Sequence, residues 1–158
     1  MIEKDKLLLE LKEAFEKTKQ ELGFRATFEE IDEAFNLKDS ILSTEFISPN
    51  FTRQLCSRIV ENYMGWYNYL NGLLIPSPSY MASQTESKIF SSEEERKNIW
   101  NLIKKIMNFS TTHSLLGFSK NKQLEANFID ESLRYWVSIF QPNLIKVLTK
   151  VNEGWNSE

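Results

Sequence analysis

A single histidine, His113, and a single cysteine, Cys56, are the side chains best suited to nucleophilic or acid–base chemistry. In a dry pocket, His113 would serve as a general base or as a ligand. The sequence supplies no second histidine and no nearby carboxylate, which favours a hydrogen-bonded histidine near a helix end, beside Thr111 and Thr112. Cys56 has no partner for a disulfide or a thiolate zinc site, and it fits a small buried apolar position.

An acidic run at residues 29–33 resembles the first half of the magnesium-binding motif of all-α nucleotide pyrophosphohydrolases, Glu-Glu-x-x-Glu. The resemblance implies a cation shared by carboxylates one helical turn apart. That family also needs a Glu-x-x-Asp pair on a following helix, whereas Asp130 and Glu131 are adjacent. A capping box formed by Thr27 and Glu30 accounts for the run without a cation. The sequence therefore predicts no catalytic residue, no metal site and no cofactor.

Aromatic residues are the most unusual feature of the chain, with 11 Phe, 5 Tyr and 4 Trp. Several of them lie between residues 63 and 71, where helical spacing places Tyr63 and Trp66 on one face that fits a core. Tyrosine and tryptophan combine a large apolar body with a polar group, which suits interfaces as well as cores. The candidate partner- or ligand-binding residues are Trp66, Tyr67, Tyr69, Tyr80 and His113.

Apolar residues recur at three- and four-residue steps along most of the chain, and no segment alternates with the period of a strand. The low glycine and proline counts, 5 and 4, indicate few turns and long elements. The fold class predicted is all-α: an irregular five- or six-helix bundle in one domain, residues 1–158. A helix over about 49–74, begun by Ser48 and Pro49, is expected at its centre.

Two segments depart from regular helical spacing. Pro76 and Pro78 with neighbouring serines predict a Pro/Ser-rich loop over 75–90. Pro142 is expected to break or kink the helix that runs from Leu124 to Phe140.

The net charge of −3 is unevenly distributed. Residues 1–48 carry seven basic and twelve acidic side chains, a net charge of −5, and the remainder is slightly basic. Because neither part has a strong basic excess, nucleic acid is an unfavoured partner. The N-terminal residues lack a secretory signal pattern and no apolar stretch is long enough to span a bilayer, so the sequence predicts a cytoplasmic protein with no membrane association.

The absence of a chemical signature and the surplus of aromatic residues favour a non-enzymatic helical interaction module that self-associates or docks a protein partner. One alternative is a small-ligand or nucleotide-handling enzyme with an aromatic-lined pocket, using His113 or Glu61 as its acid–base group. A further alternative is single-stranded nucleic-acid binding by tyrosine stacking, against which the acidic balance argues.

Overall fold

The computed structural model describes residues 2–157, and in this range it contains helices and no strand. The all-α class is thus confirmed. The described helices are more numerous than the five or six expected: α1 (Ile2–Leu22), α2 (Phe28–Phe35), α3 (Leu37–Thr44), α4 (Phe51–Met64), α5 (Tyr67–Leu74), α6 (Met81–Ile89), α7 (Glu93–Ser119), α8 (Lys122–Tyr135), a π-helical segment (Trp136–Phe140) and α9 (Gln141–Asn156).

The prediction of one continuous helix over 49–74 is wrong, because α4 ends at Met64 and α5 begins at Tyr67. The amide of Gly65 still bonds to the carbonyl four residues back, but that of Trp66 bonds to Tyr63, only three residues back. Glycine weakens a helix interior by about 1 kcal/mol relative to alanine, which makes this the position where the helical register changes. The N-cap is also displaced from Ser48: the side chain of Asn50 accepts from the backbone amide of Arg53.

The expected loop over 75–90 is wrong in its second half, where residues 81–89 form α6. Only the stretch that contains Pro76 and Pro78 is irregular, since proline restricts the backbone of the residue before it and supplies no amide donor. Contacts distant in sequence fix α6. The buried hydroxyl of Ser87 donates a 2.7 Å hydrogen bond to the carbonyl of Leu73, near the C-terminal end of α5.

Pro142 does not break the helical chain that follows α7. The chain passes from α8 through the π-helical segment into α9, and Pro142 lies in the first turn of α9. Proline is well tolerated there, because its fixed φ suits a helix start. The irregular part of this stretch is the five-residue π-helical segment, whereas the sequence pattern placed the irregularity at Pro142.

The centre of the core is aromatic. Tyr63 of α4 is fully buried, as its helical position predicted. Four other rings lie with their centroids 4.8–5.8 Å from that of Tyr63: Phe35, Phe109, Trp136 and Phe140. The rings of Trp136 and Phe140 meet Tyr63 edge to face, and those of Phe35 and Phe109 are tilted against it. Aromatic packing at these separations is favourable and joins α2, α4, α7 and the π-helical segment into one core.

Candidate interaction surface

Three of the candidate binding residues, Trp66, Tyr67 and Tyr69, lie at the junction of α4 and α5 and are half-buried against the core. The rings of Trp66 and Tyr69 meet edge to face at 6.3 Å. Burial raises the pKa of Tyr69, and the nearby carboxylate of Glu86 raises it further. Most of the apolar area of this aromatic run therefore contributes to packing between helices, and little of it is an open surface.

Tyr80 lies apart from that group, at the N-cap of α6, and 68% of its surface is exposed. Its neighbour Met81 and the earlier Ile75 are also strongly exposed. These side chains lie on the connection from α5 to α6 and on the first residue of α6, and none of them is among the residues that line the cavity formed in part by Pro76 and Pro78.

His113 lies on α7 against α4. Its carbonyl accepts a 3.0 Å hydrogen bond from Nη1 of Arg53, and the same nitrogen lies 3.5 Å from Nδ1 of the ring. Nε2 of His113 lies 3.3 Å from Oγ of Ser57. Burial lowers the pKa of His113, and the charge of Arg53 lowers it further.

The contacts of His113 fit a structural role better than activation of Ser57 as a nucleophile. A guanidinium group only donates hydrogen bonds, so the 3.5 Å contact of Nη1 with Nδ1 of His113 fits the tautomer whose ring proton is on Nε2. In this tautomer Nε2 donates to Ser57, whereas a general base would have to accept the hydroxyl proton. No carboxylate hydrogen-bonds to His113 among the residues 2–157. The contact joins α4 to α7.

Cys56 is buried, as predicted, and burial raises the pKa of its thiol to about 12. A thiol with a raised pKa carries almost no thiolate near neutral pH. Cys56 is therefore an apolar packing group in this fold.

The acidic run at 29–33 serves helix capping and local turns. Thr27 and Glu30 form the predicted capping box, in which each side chain accepts from the other's backbone amide. The carboxylate of Asp32 accepts from the amide of Lys38, just after the next helix begins. In the described part of the chain, no three histidine, cysteine or acidic side chains are grouped so as to hold a metal ion.

An open apolar groove with a volume of about 560 Å³ lies between the C-terminal half of α7 and α8. We call it the α7–α8 groove. Phe109, Leu116 and Phe128 line it and are buried. At its margins lie three exposed apolar side chains, with exposed fractions of 67% for Leu115, 88% for Phe118 and 47% for Leu124.

Helical spacing explains how the two walls of the groove arise. On α7, Asn108, Thr112, Leu115 and Ser119 follow one another at three- or four-residue steps and share a face. On α8, Asn127 and Phe128 are neighbours, and each lies three or four residues from both Leu124 and Glu131, so these four residues share the face that lines the groove. Lys120, with a positive φ of 51°, ends α7, and Asn121 caps α8 through the amide of Leu124. This short turn places the two faces side by side.

The charges in the groove are balanced. Lys105 and Glu131 are its two charged lining residues, and their nearest side-chain N and O atoms are 4.0 Å apart. Nζ of Lys105 also lies 4.7 Å from the ring centre of Phe109. A hydrogen bond from Arg134 is the main cause that lowers the pKa of Glu131. The groove consequently presents apolar surface with no net charge among its lining residues.

Sequence reasoning did not identify Leu115 and Phe118. The buried apolar stripe of α7 runs through Ile106, Phe109 and Leu116, and both missed residues lie off that stripe. Large apolar side chains outside the core-facing stripe of an amphipathic helix are themselves a signal of an exposed apolar surface.

No protein-family model, curated protein or solved structure significantly matches this chain. Of the helices within residues 2–157, none combines the length and the apolar character needed to cross a bilayer.

Proposed function

We propose that this chain is a non-enzymatic helical interaction module that binds an apolar protein surface in the α7–α8 groove. The observation that carries the proposal is the exposure of Phe118, 88%, at the margin of an apolar groove whose floor includes the buried Phe109 and Phe128. Scattered exposed apolar residues are ordinary, whereas several of them around one concave apolar site mark a surface that binds another molecule.

The shape of the site supports a protein partner. Binding energy in protein interfaces concentrates in a few large side chains that enter apolar pockets, with a polar rim that excludes water. Phe118 and Leu115 are such anchors, and Asn108, Thr112 and Asn127 supply polar groups within the same groove. Grooves formed by two helices commonly accept the apolar face of a third helix, with anchors one turn apart.

Glu61 and His113, the acid–base candidates of the enzymatic alternative, contact different residues in different parts of the structure. Glu61 is largely exposed and forms an ion pair with Arg58 at 3.5 Å, one turn away on α4. His113 contacts Arg53 and Ser57, in the orientation that does not activate a hydroxyl. Neither Glu61 nor His113 supplies the groove with an acid or base group, which favours binding over catalysis.

Selection from a peptide library tests the proposal. A phage-displayed library of helical peptides is panned against the protein immobilised at low density, where neighbouring copies do not meet. Selected clones are then tested against Phe118→Lys. We expect peptides with apolar residues at i, i+3 or i+4, and i+7 that bind the wild type and lose at least about tenfold in affinity towards the variant.

The matched control is Met81→Lys. Met81 is 84% exposed, nearly as much as Phe118, but it lies on α6 and does not line the groove. Selected peptides should bind this variant as they bind the wild type. Peptides that bind all three proteins equally, or a library that yields no clone sensitive to Phe118, would contradict the proposal.

A further inference from the structure

We infer that the partner segment in the α7–α8 groove is an acidic amphipathic helix, whose apolar face fills the groove and whose carboxylates lie beyond it, at the turn formed by Lys120. The inference rests on the proposed function and specifies the chemistry of its partner. It follows from a second depression, polar and positively charged, that adjoins the apolar groove.

The second depression has a volume of about 580 Å³ and lies between the turn that joins α7 to α8 and the start of α4. We call it the turn depression. Leu116 lines both the turn depression and the groove, so the two are adjacent. Along α7 the groove extends from Lys105 to Ser119, which is about 21 Å of helix. A partner helix of four or more turns along the groove therefore reaches the turn depression with its final residues.

The turn depression carries more positive than negative charge. Its lining residues include three cations, Arg53, Lys120 and Lys122, and two carboxylates, Glu21 and Glu125. Both lysines are exposed, and within residues 2–157 neither forms an ion pair. In a chain with a net charge of −3, this local excess of positive charge favours a partner that is acidic at the same place.

The helix ends around the turn depression also favour carboxylates. Asn50, the N-cap of α4, and Lys122, the first residue of α8, both line it. Negative charge is stabilised near the N-terminus of a helix. Nη1 of Arg53 donates to the carbonyl of His113, and a Cβ at Gly117 would lie 3.3 Å from Nη2 of the same guanidinium. Arg53 therefore supplies a positioned positive charge at this place.

The groove and the turn depression select different properties of the partner. The charges that line the groove, Lys105 and Glu131, balance each other, so the groove accepts an apolar face whatever the charge at its ends. A basic end would meet Lys120 and Lys122 with like charge, whereas an acidic end meets opposite charge. The combination points to apolar anchors followed by Asp or Glu within one or two helical turns.

The sequences of selected peptides test the inference. A second library of helical peptides, about 18 residues long, fixes the apolar anchors and leaves the residues at both ends random. Among clones whose binding depends on Phe118, we expect Asp and Glu to exceed Lys and Arg by about threefold or more at the positions that flank the anchors at one end.

The double variant Lys120→Glu/Lys122→Glu tests the charges directly. An acidic selected peptide should lose about tenfold in affinity towards it at about 50 mM salt and less than about threefold at about 500 mM, because salt screens exposed charges. Glutamate is compatible with both positions, since Glu45 has the same left-handed backbone at the end of α3 and acidic residues suit the first turn of α8. The matched control is Lys88→Glu, an exposed lysine of α6 that lines neither the groove nor the turn depression. It should bind the peptide as the wild type does.

A charge-swapped peptide separates a change in charge from a change in shape. With its acidic residues replaced by lysine, the selected peptide should bind the double variant more tightly than the wild type, because the signs of both surfaces are reversed together. A charge-swapped peptide that still prefers the wild type would overturn the inference.

The two proposals fail in distinguishable ways. Peptides that depend on Phe118 but show no excess of acidic residues, and that bind the double variant as tightly as the wild type, would overturn the acidic partner and leave protein docking in the groove standing. A library that yields no Phe118-dependent clone would overturn both proposals, and so would Phe118-dependent binding to phosphatidylserine vesicles in place of any peptide.

Discussion

The hydroxyl of Tyr63 donates a 2.6 Å hydrogen bond to the backbone carbonyl of Ser132, although 69 residues separate the two in sequence. The same carbonyl accepts from the amide of Trp136, at the point where α8 passes into the π-helical segment. One buried contact thus joins the C-terminal end of α4 to the irregular turn that orients the end of α8. Because α8 forms one wall of the α7–α8 groove, this contact belongs to the framework that shapes the groove.

Replacement of Tyr63 by phenylalanine should lower the free energy of unfolding by about 1–2 kcal/mol, measured by chemical denaturation. The change removes a buried hydrogen bond and little else. Tyr80→Phe is the matched control, since Tyr80 is mostly exposed, and it should change the free energy by less than about 0.5 kcal/mol. Equal effects of the two substitutions would contradict the structural role of the Tyr63 hydroxyl.

Cys56 should make the protein less stable in alkali. Burial raises the pKa of its thiol from 9.0 to about 12, with Glu125 adding to the rise. A raised pKa means that the folded state favours the neutral thiol, so this stabilisation is complete below pH 9 and is lost as the pH rises towards 12. Over that range the ionisation of Cys56 should contribute a fall of about 1 kcal/mol per pH unit in the unfolding free energy.

The comparison is with Cys56→Ala, whose unfolding free energy should fall less steeply between pH 9 and 12. Tyr63, whose pKa burial also raises, contributes to the alkaline loss in both proteins and cancels in the comparison. The thiol of the wild type should also react with a disulfide reagent only when the protein unfolds. Rapid reaction of the native protein would show that Cys56 is accessible.

Arg53 should control the titration of His113. Burial and the charge of Arg53 lower the pKa of His113, so Arg53→Gln should raise it towards its ordinary value. The only histidine of the chain gives a single Hε1 resonance, which NMR can follow against pH. Arg58→Gln is the control, because Arg58 contacts Glu61 and the carbonyl of Phe35. A pKa that does not respond to Arg53→Gln would contradict the contact.

The lowered pKa of His113 also determines how the stability of the protein changes with pH. Because the pKa of His113 is lowered in the folded state, its contribution to stability is complete above its ordinary value of 6.5 and is lost as the pH falls through the lowered value. Thermal denaturation between pH 7 and 5 should show a smaller loss of stability for His113→Gln than for the wild type.

Gly154 permits a close approach of α9 to α6. A β-carbon at this position would lie 2.5 Å from Cδ1 of Ile89 and 3.2 Å from its Cγ1. Gly154→Ala should lower the unfolding free energy by about 1 kcal/mol, since overpacking outweighs the helix propensity gained. With Ile89→Ala as the background, the same substitution should become stabilising. A stabilising effect in the wild-type background would show that Ile89 moves aside freely.

The helical class was predictable from sequence because apolar residues recur at helical spacing and a capping box stands at Thr27 and Glu30. The break between α4 and α5 was not, because glycine in a helix costs only about 1 kcal/mol and surrounding packing determines whether the helix continues. Helix α6 was missed for a similar reason. Its sequence is polar, and contacts such as that of Ser87 with the carbonyl of Leu73 join it to α5.

The candidate site was harder to predict. Helical spacing shows which side chains share a face, but it does not show which neighbouring helix covers that face. Leu115 and Phe118 lie exposed because the short turn at Lys120 places α8 beside one face of α7 and leaves the groove open. The contact of His113 with Arg53 joins residues 60 apart, which no local pattern reveals.

The most direct test of the central claim, that the α7–α8 groove binds an apolar protein surface, is a titration with a selected helical peptide followed by methyl NMR. The methyl resonances of Leu115, Leu116 and Leu124 should shift together as the peptide is added, and those of Ile75 and Met81 should stay unchanged. Shifts centred on Ile75 and Met81, or no peptide-dependent shift in the groove, would contradict the account.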